Sequence, residues 1–161
     1  NAVASIYARD KEARFGCKGR DKFWFGHKKN MSVDMTNGLI NKVAITPANL
    51  PDHKGLKHVC PRQGAVFADK GYCAKSSRNE IKRRGCHSGV ILKNNMKEKD
   101  RDKDRWLSRV RMPYEGTFAR MRKRTWYVGV VKNQMEAFLE ALAFNFKRLI
   151  KIEAPPLQFT F

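Results

Sequence analysis

The chain is predicted to fold as an α/β domain, a mixed sheet carrying helices on its faces, and three patterns predict it. Residues 23–45 alternate apolar and polar about an Asn-Gly pair, the mark of a β-hairpin. Two short apolar runs, Ala65–Ala68 and Gly89–Leu92, read as strands buried on both faces. Met135, Phe138, Leu139, Leu142, Phe146, Leu149 and Ile150 recur at helical spacing. A hairpin, then strands and helices in alternation, fits helices packed on a sheet.

Taken in order, residues 1–21 are polar and read as an exposed arm with Gly16 and Gly19. Phe23, Phe25, Met31, Val33 and Met35 form the buried face of the first hairpin strand. After Thr36-Asn37-Gly38, Leu39, Val43 and Ile45 carry the return strand, which Pro47 and Pro51 end. Asp52 to Val59 suits one short helix. A turn at Pro61–Gly64 leads into Ala65–Ala68, with Asp69 at the carboxyl end of that strand. Gly71 allows a sharp turn there, and Ser76–Arg84 follow as a helix. Residues 94–105 are a charged connector; Lys97 to Arg105 holds five cations and four carboxylates, a solvated run whose signs nearly cancel. Trp106 to Arg124 reads as helical, with Pro113 either opening a new helix or kinking a longer one. The last helix is amphipathic, and its apolar stripe is expected to pack on the sheet. Pro155-Pro156 lies in a tail over 153–161.

The 161 residues are 42% hydrophobic, enough for one domain with a real core. The formal charge of +19 calls for a polyanionic partner, nucleic acid before an anionic membrane surface. No apolar run reaches the roughly 20 residues of a membrane helix, and no signal peptide opens the chain. The start at Asn1 rather than Met suggests a piece of something longer. Cys17, Cys60, Cys73 and Cys86 form no C-x-x-C pair, and with His58 and His87 they match no standard finger. Zinc is therefore disfavoured, and reduced thiols are the better reading.

Two carboxylates draw attention. Asp69 ends a strand, where open α/β sheets place chemistry; from this stretch alone a tie to Lys70 or to a backbone N–H, with no metal, is the favoured reading. Glu115 is the one acid among seven cations between Arg105 and Arg124, and shares a helical face with Arg111, Phe118 and Arg122. It is either half of an ordinary ion pair or a metal ligand beside gripped phosphates.

Several pieces, in order, resemble the DDE transposases of bacterial insertion sequences, in the insertion-sequence four and five groups. They are Phe25-Gly26-His27-Lys28 leading to Val33-Asp34, Gly38-Leu39-Ile40, and Thr46-Pro47-Ala48-Asn49 with Asp52. Ala68-Asp69-Lys70-Gly71-Tyr72, Arg111 with Glu115 and Phe118, Tyr127 with Gly129, Lys132 and Asn133, and Asn145-Phe146-Lys147-Arg148 complete the set. The resemblance runs from about Arg9 to Ile152. It implies a ribonuclease-H-like catalytic domain that cuts and joins DNA with Mg²⁺, Mn²⁺ substituting, through three carboxylates. Asp69 would be the second and Glu115 the third. Lys70, Arg111, Arg120, Arg122, Lys123 and Lys132 would contact DNA. Ser108 stands where the family has tyrosine, and Arg122 where it has lysine. Asp10 and Asp21 do not look like the first acid, and Asp34 reads as structural, so the first strand and its Asp are expected to be missing. The implied setting is cytoplasmic and nucleoid-associated, with insertion-sequence ends and target DNA as partners, no membrane, and a homodimer in the complete protein. The alternative is a basic DNA-binding remnant of a transposase without catalysis.

Overall fold

The computed structural model describes residues 6–153. Strands β1 (Arg14–Lys18), β2 (Lys22–Val33) and β3 (Ile40–Pro47) form an antiparallel sheet in that order. Helix α1 (Asp52–Val59), β4 (Ala65–Ala68), a single 3₁₀ turn over Lys70–Tyr72, α2 (Lys75–Arg83) and β5 (His87–Val90) follow. Two long helices, α3 (Arg101–Arg120) and α4 (Val130–Glu153), end the described chain. β4 and β5 pair in parallel, Ala65 opposite His87 and Ala68 opposite Val90, with α2 as their crossover.

The α/β class holds, but the strands form two small sheets where one mixed sheet was expected. β2 gives Lys22–Gly26 to β1 and His27–Val33 to β3, while among the described residues β4 is laddered only to β5. Each sheet has its own core. Leu56, Cys60, Val66, Ala68, Cys73, Ile81 and Val90 pack around β4, β5, α1 and α2. Met31, Ile40, Val43, Met121, Ala137 and Ala141 pack between the hairpin and α4. Helix α1 touches β2, β3 and α2. It approaches β2 closely at Gly55, where an added Cβ would stand 2.4 Å from Asn30 Oδ1.

The arm expected over residues 1–21 is built into the fold where it is described; residues 1–5 lie outside the described part. Gly19, at φ 70°, turns β1 back onto β2. Phe15 then sits opposite Phe25, their ring centroids 5.0 Å apart. Polar flanking residues hide this strand from a periodicity reading. The charged connector is likewise shorter than expected. Asp100 accepts hydrogen bonds from the Asp102 and Lys103 N–H groups, so α3 begins at Arg101. α3 then runs through Pro113 as one helix. The tail over 153–161 falls, after Glu153, outside the described residues.

The orientation of α4 is the main correction. Its strongly apolar stripe does not meet the sheet; Met135, Phe138, Leu142 and Phe146 are exposed, and the packed face is Asn133, Ala137 and Ala141. The cause is the open edge of β3. Gln134 accepts from Ile45 N–H at 2.8 Å and donates to the Val43 carbonyl at 3.1 Å. Asn145 does the same for Ile40, at 2.8 and 2.9 Å. A helix with two amides spaced along it thus covers the unpaired backbone of an edge strand. Large side chains would hold it too far away to do so.

Candidate active site and nucleic-acid interface

β4 delivers Asp69. Val66 and Ala68 are buried, so the strand is fixed and its next residue emerges exposed at the end. Asp69 caps the 3₁₀ turn, its Oδ1 accepting from Gly71 N–H at 2.9 Å. That leaves Oδ2 without a protein partner among the described residues. Gly71 is needed here for space rather than for φ. A Cβ would stand 3.1 Å from Asp69 Oδ1 and 3.4 Å from Asp52 Oδ2, filling the gap between the two carboxylates.

Asp52 was not among the site residues expected from sequence. It is the first residue of α1, held by Lys28 of β2 through a 2.8 Å bond from Nζ to Oδ1. Lys28 also donates to the Leu50 carbonyl at 2.9 Å. Both residues lay inside the resembling pieces, which was the available signal; their pairing is tertiary. Tyr72 completes the neighbourhood. Burial pushes its phenol up to about 12, the Asp52 and Asp69 charges add to this, and Arg111 opposes it. Asp52, Asp69 and Arg111 therefore share one electrostatic neighbourhood.

α3 brings Arg111. Trp106 packs edge-on against Phe67 of β4, ring centroids 6.1 Å apart, and Leu107 is buried beneath. Arg111 lies one turn further on, with its side chain mostly covered, and reaches Glu115 at 3.4 Å. Glu115 is exposed, and that contact is its one ion pair among the described residues. No hydrogen bond joins Asp69 to Glu115 among the described residues. No group of three or more His, Cys, Asp or Glu that could hold a metal occurs among them either. Asp34 is structural, its carboxylate accepting from Thr36 N–H and from Asn37 in the hairpin turn.

Asp10 is structural as well. Its Oδ2 lies 2.9 Å from His27 Nε2 and accepts from Gly129 N–H at 2.8 Å. Burial pushes its carboxyl up, but the bonds from Gly129, His27, Glu12 and Ala13 outweigh this and hold it at about 2. Glu12 accepts from Val130 N–H at 2.8 Å, so the arm caps α4 with two carboxylates.

Of the cations expected to contact DNA, Lys70 donates to Asn94 at 3.2 Å beside Asp69. Arg120, Arg122, Lys123 and Lys132 gather instead near the end of α3. A hollow of about 520 Å³ there is lined by Arg122, Lys123, Arg124 and Trp126, among others. A second, of about 500 Å³, brings in Arg122, Tyr127 and Lys132. The Arg122 backbone N–H donates to Glu140, while its guanidinium is held only loosely, 3.9 Å from Glu136. Trp126 is 91% exposed amid these cations and was not anticipated. Of the cysteines, Cys60 and Cys73 are buried in the first core, burial pushing the Cys60 thiol up, and Cys17 is exposed on β1.

The donor set suits a hard divalent cation, as carboxylate oxygens select Mg²⁺ or Mn²⁺. Asp69 Oδ2, which has no hydrogen-bond partner among the described residues, is the oxygen such an ion would meet.

These parts define a basic α/β domain with an open carboxylate at a strand end and a cationic helix end. Comparison with known proteins gives the family: the transposase DDE domain matches residues 5–146, and the chain belongs to it. The chain is similar to the transposase for insertion sequence element IS1106 of Neisseria meningitidis serogroup B, at 28% identity. That match covers 92% of this chain and 55% of the relative, so the chain spans about half the length of the curated relative. No solved structure matches. Among the described residues no helix is long and apolar enough to cross a membrane.

Proposed function

We propose that this chain is a ribonuclease-H-like portion of a transposase catalytic domain, built for metal-dependent cleavage and transfer of DNA strands. The observation that carries it is the strand-end Asp69, steadied by Gly71 N–H, next to the space Gly71 keeps open toward Asp52. Asp69 and Glu115 would hold Mg²⁺ or Mn²⁺. When bound, such ions activate an attacking oxygen and stabilise the leaving one. The chain's own residues prepare the site. Gly71 fixes the Asp69 carboxylate, Lys28 holds Asp52, and Arg111 orients Glu115. Lys70, Arg111, Arg120, Arg122, Lys123 and Lys132 would take the phosphates of insertion-sequence ends and target DNA.

A second reading, a basic DNA-binding remnant without catalysis, is favoured by the lack of a three-ligand group among the described residues. Both readings predict DNA binding. Only the first predicts that Mn²⁺ binds the chain and that Asp69→Ala removes this binding while DNA affinity in EDTA stays unchanged. Calorimetric titration with Mn²⁺, beside DNA binding in EDTA, separates them. Mn²⁺ binding indifferent to both Asp69→Ala and Glu115→Ala would leave the remnant.

A further inference from the structure

Trp126 stands in water where an indole is ordinarily mostly covered. It is 91% exposed, so neither ring face is packed, and Tyr127 beside it is 52% exposed. The short segment that carries them is nevertheless fixed at both ends. Met121 is buried in the second core, and the Arg122 N–H donates to Glu140. Further on, Asn133 Nδ2 donates to the Tyr127 carbonyl at 3.2 Å and to the Gly129 carbonyl at 2.7 Å. Thr125 Oγ1 accepts from Tyr127 N–H at 3.1 Å, and Gly129, at φ 86°, turns the chain into α4. Trp126 thus projects from a held backbone. Arg122, Lys123 and Arg124 line the hollow of about 520 Å³ with it. That volume is within the roughly 300–1,000 Å³ of ordinary small-molecule sites.

We propose that Trp126 is a stacking platform for an unpaired nucleobase in a single-stranded stretch of nucleic acid. Charge alone would bring a polyanion to this end of α3, but it gives no use for an apolar ring held in water. A base supplies that use. Every base has a π face, and stacking on an aromatic side chain needs no particular sequence. The base must be unpaired, because inside a duplex both of its faces are already stacked. An anionic bilayer also attracts cations and tryptophan, but it takes an amphipathic face, and here the segment between α3 and α4 offers an indole and a phenol. The inference goes beyond the function proposed above, which gives this region phosphates through Arg122 and Lys123, and it needs no metal.

Binding in EDTA tests this, with fluorescent probes of equal length: an oligothymidylate, the same strand with every base removed, and a blunt duplex. The wild-type chain is expected to bind the oligothymidylate about tenfold more tightly than the abasic strand. Trp126→Ala is expected to remove that difference, leaving affinity for the abasic strand and the duplex unchanged. Trp126→Phe is expected to restore part of it, and neither change should alter the circular dichroism spectrum. A wild-type chain that does not distinguish the strands with and without bases overturns the proposal. So does a Trp126→Ala loss that is equal on every probe, which would make the ring a support of the fold. An emission shift of Trp126 on phosphatidylserine vesicles with none on the oligothymidylate would make it a membrane contact instead. Arg122→Gln with Lys123→Gln is expected to weaken binding of all probes alike; no loss there would count against the phosphate reading and leave the stacking result standing.

Discussion

Removing the Asp10 carboxylate would strip the Gly129 N–H of its acceptor and His27 of its partner. Hydrogen bonds to a buried charge are worth about 1.5–3 kcal/mol, so Asp10→Ala is expected to cost about 2 kcal/mol in urea unfolding. Its pH dependence follows from the folded value of about 2, below the ordinary 3.8. The contribution is fully present above 3.8 and is lost as pH falls through about 2. The stability gap between wild type and Asp10→Ala should therefore shrink on acidification in that window; a constant gap would assign the cost to packing. The sequence showed Asp69 because a strand end and a glycine turn are local features. It did not show the roles of Asp10 and Asp52, whose partners stand 119 and 24 residues away. Contacts at that separation leave no periodicity to read.

At the scale of elements, α1 depends on a close approach to β2. Gly55→Ala would bring a Cβ to 2.4 Å from Asn30 Oδ1, which is buried and also holds Thr46 through Nδ2 at 3.0 Å. Overpacking of this kind costs about 1–3 kcal/mol. Thermal unfolding should show that loss, and Asn30→Ala with Gly55→Ala should cost less than the two changes separately, since the clash is removed. Additive costs would mean that α1 shifts freely. The hairpin, α1 and the strand before Asp69 were legible from alternation, prolines and short apolar runs. β1 was not, because it has only five residues and a polar setting. For α4 the helix was legible but the choice of face was not. Hydrophobicity favoured the phenylalanines and leucines, while the open β3 edge required Gln134 and Asn145, and hydrogen bonding to a bare strand prevailed.

At the scale of the whole molecule, a charge of +19 is expected to call for a polyanion partner, and its distribution is testable. Neutralising Arg120, Arg122, Lys123 and Lys132 together is expected to lower the log–log salt slope of duplex DNA binding by about 3–4, at about 0.9 per phosphate contact. Neutralising Lys97, Lys99 and Lys103 should change it much less, since Lys99 already pairs with Asp104 and the run is nearly balanced. The reverse order would displace the interface to the connector. In the proposed function Asp69 and Glu115 serve one metal, though the sequence sets them on different elements. Iron(II) bound in place of Mg²⁺, with ascorbate and peroxide, cuts the backbone beside its ligands. Paired cuts near residues 69 and 115 are expected, suppressed by excess Mg²⁺ and both lost in Asp69→Asn. Cuts near 115 that survive Asp69→Asn, or cuts at neither place, would contradict it.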